Sequence, residues 1–255
     1  YIKRYLEEKY GLDFLKEKGL KVYTSLDFEL QKAAQEIVKN QGKINERYRA
    51  FNASLVAISP KTGEILAMVG SKDYSLDPYP QNCTPGKNCL FEPYPNVVLL
   101  GRQPGSAFKP FVYATAFKDG YNDKIQVSDE LTNFGIWGGK EYIPQNYDRK
   151  FRGLVTLREG LAQSLNVPSI KVLYLIGSED KKDILEINNF LGQEEIFRRG
   201  LKKSIETAKE MGITTLDKPI SFYGPSIVLG GGEVNLLEMV SAFSVFANEG
   251  LRIPT

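Results

Sequence analysis

The spacing of apolar side chains predicts a helix and a hairpin in the first third of the chain. Asp27 can cap a helix that runs to about residue 40, because apolar residues recur behind it at helical spacing: Leu30, Ala33, Ala34, Ile37 and Val38. Residues 21–26 are expected to form a short strand. Residues 54–59 and 64–70 are expected to form two more strands, joined by a turn at residues 60–63.

Helical patterns dominate the remainder of the chain. Helices are predicted at 106–118, 156–164, 168–177, 180–191, 194–211 and 234–248. Residues 71–105 are expected to be loop, and residues 120–153 to be irregular and partly extended. The two strands of the hairpin are apolar on both faces, which favours a buried sheet. An isolated apolar hairpin leaves its edges unpaired, so we expect the chain to be a piece of a longer polypeptide.

The composition excludes several kinds of chemistry. The chain has no histidine, which removes Ser-His-Asp and Cys-His catalysis and every His-ligated metal site. Its two cysteines are too few for a four-thiolate zinc or iron–sulfur site. The 33 basic and 31 acidic residues give a net charge of +2, which argues against a nucleic-acid binder. A nucleophile must therefore be activated by lysine, a carboxylate or tyrosine.

Ser106 and Lys109 form the first candidate catalytic pair. They stand three residues apart at the start of the predicted 106–118 helix, so their side chains share a face and the amine can reach the hydroxyl. A helix start also directs backbone N–H groups toward an anion that forms beside Ser106. A lysine that acts as a base near pH 7 needs a pKa about 3 units below its ordinary value, which burial and nearby positive charge can supply.

Other short motifs have simpler explanations. The spacing also occurs at Ser178 and Lys181, where Ser178 is expected to cap the 180–191 helix. Lys61-Thr62-Gly63 is expected to be only the turn of the hairpin. Ser164 and Asn166 lie where one predicted helix ends and the next begins, and the triplet alone favours capping. The functional alternative places Ser164 beside Lys109 as a proton relay and lets Asn166 donate to a substrate carbonyl.

With Ser106, Lys109, Ser164 and Asn166 in order, the sequence resembles the transpeptidase module of class A penicillin-binding proteins. The likeness extends over most of the chain. Similar segments are GLKVYTSLDFELQKAA (19–34), SLVAISPKTGEILAMVGSKDY (54–74), RQPGSAFKPFVYATAF (102–117), NYDRKFRGLVTLREGLAQSLNVPSIKV (146–172) and SIVLGGGEVNLLEMVSAFSVFANEG (226–250).

The resemblance implies an α+β fold, an α/β sandwich that is mainly helical with an incomplete antiparallel sheet. It implies a linker at 1–50 and the N-terminal part of a transpeptidase domain at 51–255. The implied activity is D,D-transpeptidation of peptidoglycan stem peptides that end in D-Ala-D-Ala, through an acyl-enzyme on Ser106. Lys109 is the implied base, Ser164 the relay and Asn166 a substrate ligand. β-Lactam antibiotics would acylate Ser106 as mimics of the substrate, and the implied reaction needs no metal or cofactor.

The resemblance also implies partners outside these residues. The family's Lys-Thr-Gly motif should follow residue 250, so the remainder of the domain is expected to supply it, on the same or a separate chain. Without it, Ser106 would lose half of its oxyanion hole. An upstream glycosyltransferase module and a membrane anchor are expected, at the extracytoplasmic (periplasmic) face of the inner membrane in the bacterial cell envelope. That location would permit a Cys83–Cys89 disulfide, with free thiols as the alternative.

Three further features keep two interpretations each. Trp137 and Tyr147 are expected either to line a substrate cleft or to be core aromatics. Gly230–Gly232 can cradle an anion, although a flexible entry to the 234–248 helix is favoured.

Two other functions compete with transpeptidation. One is a carboxypeptidase or β-lactamase that also forms an acyl-serine, and the other is a non-catalytic scaffold of the same fold.

Overall fold

The structure is a computed structural model that describes residues 1–178 and 189–255. It combines helices with short antiparallel strands, which confirms the mixed fold class. Two compact units can be distinguished: residues 1–100 with 243–255, and residues 101–242. The helix predicted at 180–191 lies mostly outside the described residues. Among the described residues, no helix has both the length and the apolar character needed to cross a bilayer.

The first unit packs a long helix against a hairpin. Its elements are α1 (Ile2–Tyr10), α2 (Leu12–Lys18), α3 (Phe28–Asn45), β1 (Leu55–Ile58) and β2 (Ile65–Val69). The Asp27 side chain caps α3 as predicted, because it accepts a hydrogen bond from the backbone N–H of Leu30 at 2.9 Å. A buried cluster then holds α3 on the sheet: Ala34, Val38, Ala67 and Val69.

β1 and β2 pair antiparallel, as the hairpin pattern predicts. The strand predicted at 21–26 does not form. The backbone N–H of Asp27 instead donates to Leu66 at 2.9 Å, and the Gln31 side-chain amide bonds both the N–H and the carbonyl of Met68. The expectation that both edges of the hairpin are unpaired was therefore wrong for β2. Among the described residues, no further strand pairs with β1.

The structure shows the turn between β1 and β2 and the pairing of the two cysteines, both in the first unit. The backbone N–H groups of Thr62 and Gly63 both donate to the carbonyl of Ser59, so Lys61-Thr62-Gly63 lies in the β1–β2 turn. Cys83 and Cys89 are joined by a disulfide. The loop that contains this disulfide ends in a short 3₁₀ turn at Val97–Leu99.

The second unit is mainly helical. Its helices are α4 (Lys109–Lys118), α5 (Leu157–Ala162), α6 (Asn166–Gly177), α7 (Glu194–Glu210) and α8 (Leu236–Ala247), the last of which continues into the first unit. Its strands are β3 (Gln126–Asp129), β4 (Ile136–Trp137), β5 (Lys140–Glu141) and β6 (Gly153–Thr156). β3 pairs with β6 and β4 with β5, both antiparallel, within or just after the segment predicted to be partly extended.

Helix α6 forms the core of the second unit. All of its residues after Asn166 are buried. It crosses α7 at Gly177 and Gly200, where a Cβ atom would lie 1.9 Å from the Ile196 carbonyl oxygen and 1.8 Å from the Leu173 carbonyl oxygen, respectively. Side chains cannot fit between these backbones, so glycine is required on both helices. The crossing fixes α6, whose first residue is Asn166.

Candidate active site

Ser106 lies on a tight turn that leads directly into α4. Gly105–Phe108 form a 3₁₀ turn, and the α-helix begins at Lys109 rather than at residue 106 as predicted. The backbone N–H of Lys109 donates to the carbonyl of Ser106. Because a 3₁₀ helix completes one turn in three residues, positions three apart are eclipsed. The backbone therefore places the two side chains on the same side of the turn.

The two members of this pair differ sharply in exposure. Ser106 is exposed, whereas Lys109 retains only 1% of its accessible surface. The Ser106 hydroxyl makes no hydrogen bond within the described parts of the chain, and it is not a partner of the Lys109 amine. Catalytic hydrogen bonds are often long in an empty site and shorten when substrate binds.

The Lys109 amine contacts both polar residues of the second motif. Its Nζ donates to the carbonyl oxygen of Ser164 at 2.6 Å, to the Ser164 hydroxyl at 3.2 Å and to Oδ1 of Asn166 at 2.8 Å. The three motif residues Lys109, Ser164 and Asn166 therefore meet at one point. Burial lowers the pKa of Lys109 from its ordinary value of 10.5 to about 8.

Ser164 adopts a backbone conformation that is usual for glycine. Its φ is +54°, and it follows α5 at the position where helices commonly end with a left-handed residue. The N–H of Ser164 bonds the Leu161 carbonyl and that of Leu165 bonds the Gly160 carbonyl, which is a Schellman motif. This turn directs the Ser164 carbonyl oxygen to Lys109.

Asn166 is the first residue of α6, and three contacts hold its polar groups. Its side-chain oxygen accepts from Lys109, its side-chain NH₂ donates to the Gln145 carbonyl at 2.7 Å, and its backbone N–H donates to Asn146 Oδ1 at 2.7 Å. The helix has Leu165 as its N-cap, without a side-chain cap. Neither side chain therefore caps α6, while the backbone of Ser164 forms the Schellman motif that ends α5.

Two buried residues behind the site, Asn146 and Asp129, are not candidates that the sequence predicts. Asn146 is 4% exposed and Asp129 is fully buried. The Asn146 side-chain nitrogen lies 2.9 Å from both carboxylate oxygens of Asp129. Both residues belong to the segment predicted to be irregular, and short polar residues in such a segment normally indicate a turn. Nothing local in the sequence distinguishes a buried asparagine from a turn asparagine.

Lys171 is a second buried lysine, in the middle of α6. It is completely buried, and its Nζ donates to the Ser128 hydroxyl at 2.6 Å, with Glu130 Oε1 3.8 Å away. Burial lowers its pKa to about 8, and the carboxylates of Glu130 and Asp129 oppose that effect. A lysine inside a run of apolar helix residues is a signal that the sequence does carry. This Ser–Lys pair is closed to solvent, so no substrate can reach it.

The glycine segment 230–232 supports the turn that carries Ser106. Gly230 has a φ of +89°, and a Cβ atom there would lie 2.1 Å from the backbone nitrogen of Gly105. Gly230 ends the 3₁₀ turn Pro225–Leu229. The segment is therefore packed against the residue that precedes Ser106 rather than forming a flexible entry to α8.

Three further residues that the sequence singled out differ in exposure and in surroundings. Tyr147 is fully exposed, at 104% of the reference area, so the core interpretation is wrong for it. Trp137 is half-buried, stacks edge-on against Phe197 and donates its ring N–H to the Phe134 carbonyl at 2.7 Å. Ser178 directly follows α6, while the helix that it was expected to cap lies outside the described residues.

Comparisons with known proteins identify the family of the chain. Residues 53–254 match the family model "Penicillin binding protein transpeptidase domain". The chain is 30% identical to penicillin-binding protein 2D of Bacillus subtilis over 254 residues, which cover 98% of this chain and 30% of that protein. It is 28% identical to penicillin-binding protein 1B of Vibrio cholerae over 253 residues, 98% of this chain and 27% of that protein.

Solved structures support the same fold. The penicillin-binding protein PonA1 from Mycobacterium tuberculosis superposes with a TM-score of 0.67 at 21% identity, over 98% of this chain and 56% of that one. Penicillin-binding protein 2B from Streptococcus pneumoniae gives 0.64 at 17% identity, over 89% and 38%. The chain spans about 30% of the length of the curated relatives that it matches.

Proposed function

We propose that this chain, which belongs to the penicillin-binding protein transpeptidase domain family, carries the acylation site of a D,D-transpeptidase. The donor would be a peptidoglycan stem peptide that ends in D-Ala-D-Ala, and the acyl-enzyme would form on Ser106. The observation that carries this proposal is the meeting of Lys109 with Ser164 and Asn166 beneath an exposed Ser106.

In the first step, Lys109 acts as the general base. The Ser106 oxygen attacks the carbonyl between the two D-Ala residues, and the Ser106 proton passes to the lysine amine. The peptide C–N bond then breaks, and the terminal D-Ala leaves after its nitrogen takes that proton. An amine of a neighbouring stem peptide attacks the ester, forms the new amide and frees Ser106.

The hydrogen bonds of Lys109 suit a neutral amine as well as an ammonium. A neutral amine has two N–H donors and one lone pair. The Ser164 carbonyl and Asn166 Oδ1 accept only, so they take the two donors. The lone pair then faces a hydroxyl, either that of Ser164, which already lies 3.2 Å away, or that of Ser106 in the substrate complex.

This arrangement gives Ser164 and Asn166 distinct roles. The Ser164 hydroxyl can receive a proton from Lys109 and pass its own proton to the leaving amine, which makes it the relay. The side-chain NH₂ of Asn166 donates one hydrogen to the Gln145 carbonyl, and its second hydrogen can donate to a substrate carbonyl. Exposed Tyr147, in the same segment as Gln145, offers an aromatic surface to the stem peptide.

Several proposals concern the protein beyond these residues. A Lys-Thr-Gly segment would complete the oxyanion hole, a glycosyltransferase module would precede the chain, and an anchor would hold it at the extracytoplasmic face of the inner membrane. The division into a linker at 1–50 and a domain from 51 onward also stays a prediction.

The test is covalent labelling with a fluorescent penicillin, followed by intact mass measurement and peptide mapping. It uses the longest natural polypeptide that contains this chain. We expect one adduct per chain, on the peptide that contains Ser106, and its loss in Ser106→Ala. Ser178→Ala is the matched control, because Ser178 also begins a Ser-x-x-Lys spacing and should keep the adduct.

Other outcomes select the competing functions. No adduct in the natural polypeptide would favour a non-catalytic scaffold. An adduct on Ser106 that hydrolyses within seconds would favour a β-lactamase. Release of D-Ala from a donor peptide without any product on an added acceptor amine would favour a carboxypeptidase.

A further inference from the structure

Behind the site, a buried pair links β3 to the first residue of α6. Asp129, at the end of β3, faces Asn146, and the Asn146 side-chain nitrogen lies 2.9 Å from both carboxylate oxygens. The same nitrogen lies 2.9 Å from the Lys150 carbonyl. Asp129 also accepts the backbone N–H of Arg152 at 3.0 Å. The carboxylate and the amide are thus satisfied in the interior of the protein.

Asp129 determines which way the Asn146 amide points. A carboxylate only accepts hydrogen bonds, so the NH₂ group of Asn146 must face it. The amide oxygen is then directed away from Asp129 and accepts the backbone N–H of Asn166 at 2.7 Å. This bond satisfies a donor at the start of α6 that has no partner within the helix, and for which the N-cap Leu165 provides no side chain.

Residues 145 and 146 therefore hold Asn166 at two points. The Gln145 carbonyl accepts from its side chain and the Asn146 amide accepts from its backbone. With both nitrogen atoms fixed, the remaining polar atom of the Asn166 side chain, Oδ1, is aimed at Lys109. A displacement of this residue would remove one of the two acceptor-only partners of the lysine amine.

We propose that Asp129 and Asn146 are positioning residues for acylation, which orient Asn166 and through it the Lys109 amine. This inference rests on the proposed function. The pair does not touch Ser106 or Lys109, so it acts only through Asn166. It predicts a loss in the rate of acylation within the bound complex, with little change in the affinity of the first, non-covalent complex.

The test measures penicillin acylation by stopped flow and separates the dissociation constant of the initial complex from the acylation rate constant. Asn146→Asp replaces the amide with a nearly isosteric carboxyl group, which can donate to Asp129 only by taking up a proton that the pair then shares. We expect at least a tenfold lower acylation rate constant and a dissociation constant within threefold of the wild type. Asp129→Asn is the milder variant, because two amides can still bond but can also flip, and a three- to tenfold loss is expected.

The exchanged pair separates positioning from general damage. Asp129→Asn combined with Asn146→Asp again places one amide against one carboxylate, and the carboxylate can accept the Asn166 N–H. Asn146→Asp is expected to lower the acylation rate constant. We expect the double variant to recover at least half of that loss on a logarithmic scale. Asp148→Asn is the matched control, because it removes a charge from the same segment at an exposed position paired with Arg152. It should stay within twofold of the wild type.

Active protein is counted by labelling stoichiometry, and folding is checked by near-ultraviolet circular dichroism. An unchanged acylation rate constant in folded Asn146→Asp would overturn the inference, and so would a loss that is confined to a smaller active fraction. If Asn146→Asp does not fold, Asp129→Asn and the exchanged pair decide. Failure of the wild type to label would instead count against the proposed function.

Discussion

The Nζ atom of Lys109 lies 2.6 Å from the carbonyl oxygen of Ser164, whose backbone is left-handed at φ +54°. This contact joins the first residue of α4 to the turn that follows α5. The carbonyl reaches the lysine because the chain takes a conformation that disfavours every residue except glycine by about 1–2 kcal/mol. The residue at position 164 is serine, although glycine would fit this backbone conformation better.

Ser164→Gly and Ser164→Ala should therefore separate stability from activity. Both remove the relay hydroxyl, so both should lower the penicillin acylation rate constant by 10-fold or more. Glycine relieves the strain and alanine does not, so Ser164→Gly should be about 1 kcal/mol more stable than Ser164→Ala. Thermal denaturation and stopped-flow acylation check the two parts. Equal stability of the two variants would show that the turn is unstrained.

Gly230→Ala should disturb the turn that carries Ser106. A Cβ atom would lie 2.1 Å from the Gly105 nitrogen, so the Gly105–Phe108 turn must shift. We expect acylation to slow by at least tenfold. Gly120→Ala is the matched control, because its φ of +88° is nearly the same as that of Gly230 but no atom lies within 4 Å of the added Cβ. It should lose about 1–2 kcal/mol of stability and no activity. A normal rate in Gly230→Ala would contradict the proposed contact.

Lys171→Met should destabilise the second unit. The lysine is completely buried beside the buried carboxylate of Asp129 and the half-exposed carboxylate of Glu130, so its removal takes away the cation that lies beside buried Asp129. Such a loss costs about 3–5 kcal/mol. The exposed Lys202→Met is the control and should stay within about 1 kcal/mol of the wild type. Urea unfolding measures both, and a stable Lys171→Met would show that the cation is dispensable.

The low pKa of Lys171 should make the free energy of unfolding depend on pH. Burial lowers its pKa from 10.5 to about 8, so between these values the unfolded chain binds more protons than the folded one. The free energy of unfolding should therefore rise with pH from about 8 to about 9.5. Above that range the buried tyrosines oppose the rise, because burial raises their pKa and the unfolded chain then loses their protons first. Lys109 contributes in the same direction. The pH dependence is compared in the wild type and in Lys109→Met, which should show a smaller rise; an identical rise would contradict the low pKa of Lys109.

The Cys83–Cys89 disulfide should be detectable in the purified protein. Iodoacetamide should leave the oxidised, unfolded chain unmodified and should add two groups after reduction. The chain has only these two cysteines, so intact mass gives an unambiguous count. Replacement of both by serine should cost about 2 kcal/mol of stability. Modification by two groups without reduction would show free thiols.

Local patterns in the sequence were sufficient to predict α3, α6 and the β1–β2 hairpin. Apolar spacing predicted α3, because burial of one helix face produces a periodic pattern. A continuous apolar run predicted α6, which is buried on all faces. The Asp27 cap is equally local. The bond of Gln31 to β2 could not be predicted, since it depends on residues more than thirty positions away. The sequence alone therefore suggested a strand at 21–26 that the structure replaces with side-chain and backbone contacts to β2.

In the candidate site, too, local features could be predicted from the sequence and features that depend on packing could not. Ser106 and Lys109 could be found because their spacing and their place at a helix start are local. Ser164 was also a candidate, but its left-handed conformation could not be predicted, because serine gives no signal for that conformation whereas glycine would have done so. The burial of Asn146 and Asp129 depends on the pairing of β3 with β6 and on the packing at the start of α6. Neither follows from the residues that flank them.

The central claim is that the uncharged Lys109 amine removes the proton of Ser106. The most direct measurement is the penicillin acylation rate constant from pH 5.5 to 9.5, in the wild type and in Lys109→Arg, whose guanidinium stays charged. With a Lys109 pKa of about 8, we expect the rate to rise about tenfold per pH unit and to level off near that value. We expect Lys109→Arg to be 10²–10⁴-fold slower at the plateau. A wild-type rate that is independent of pH over this range, or an arginine variant that matches it, would contradict the account.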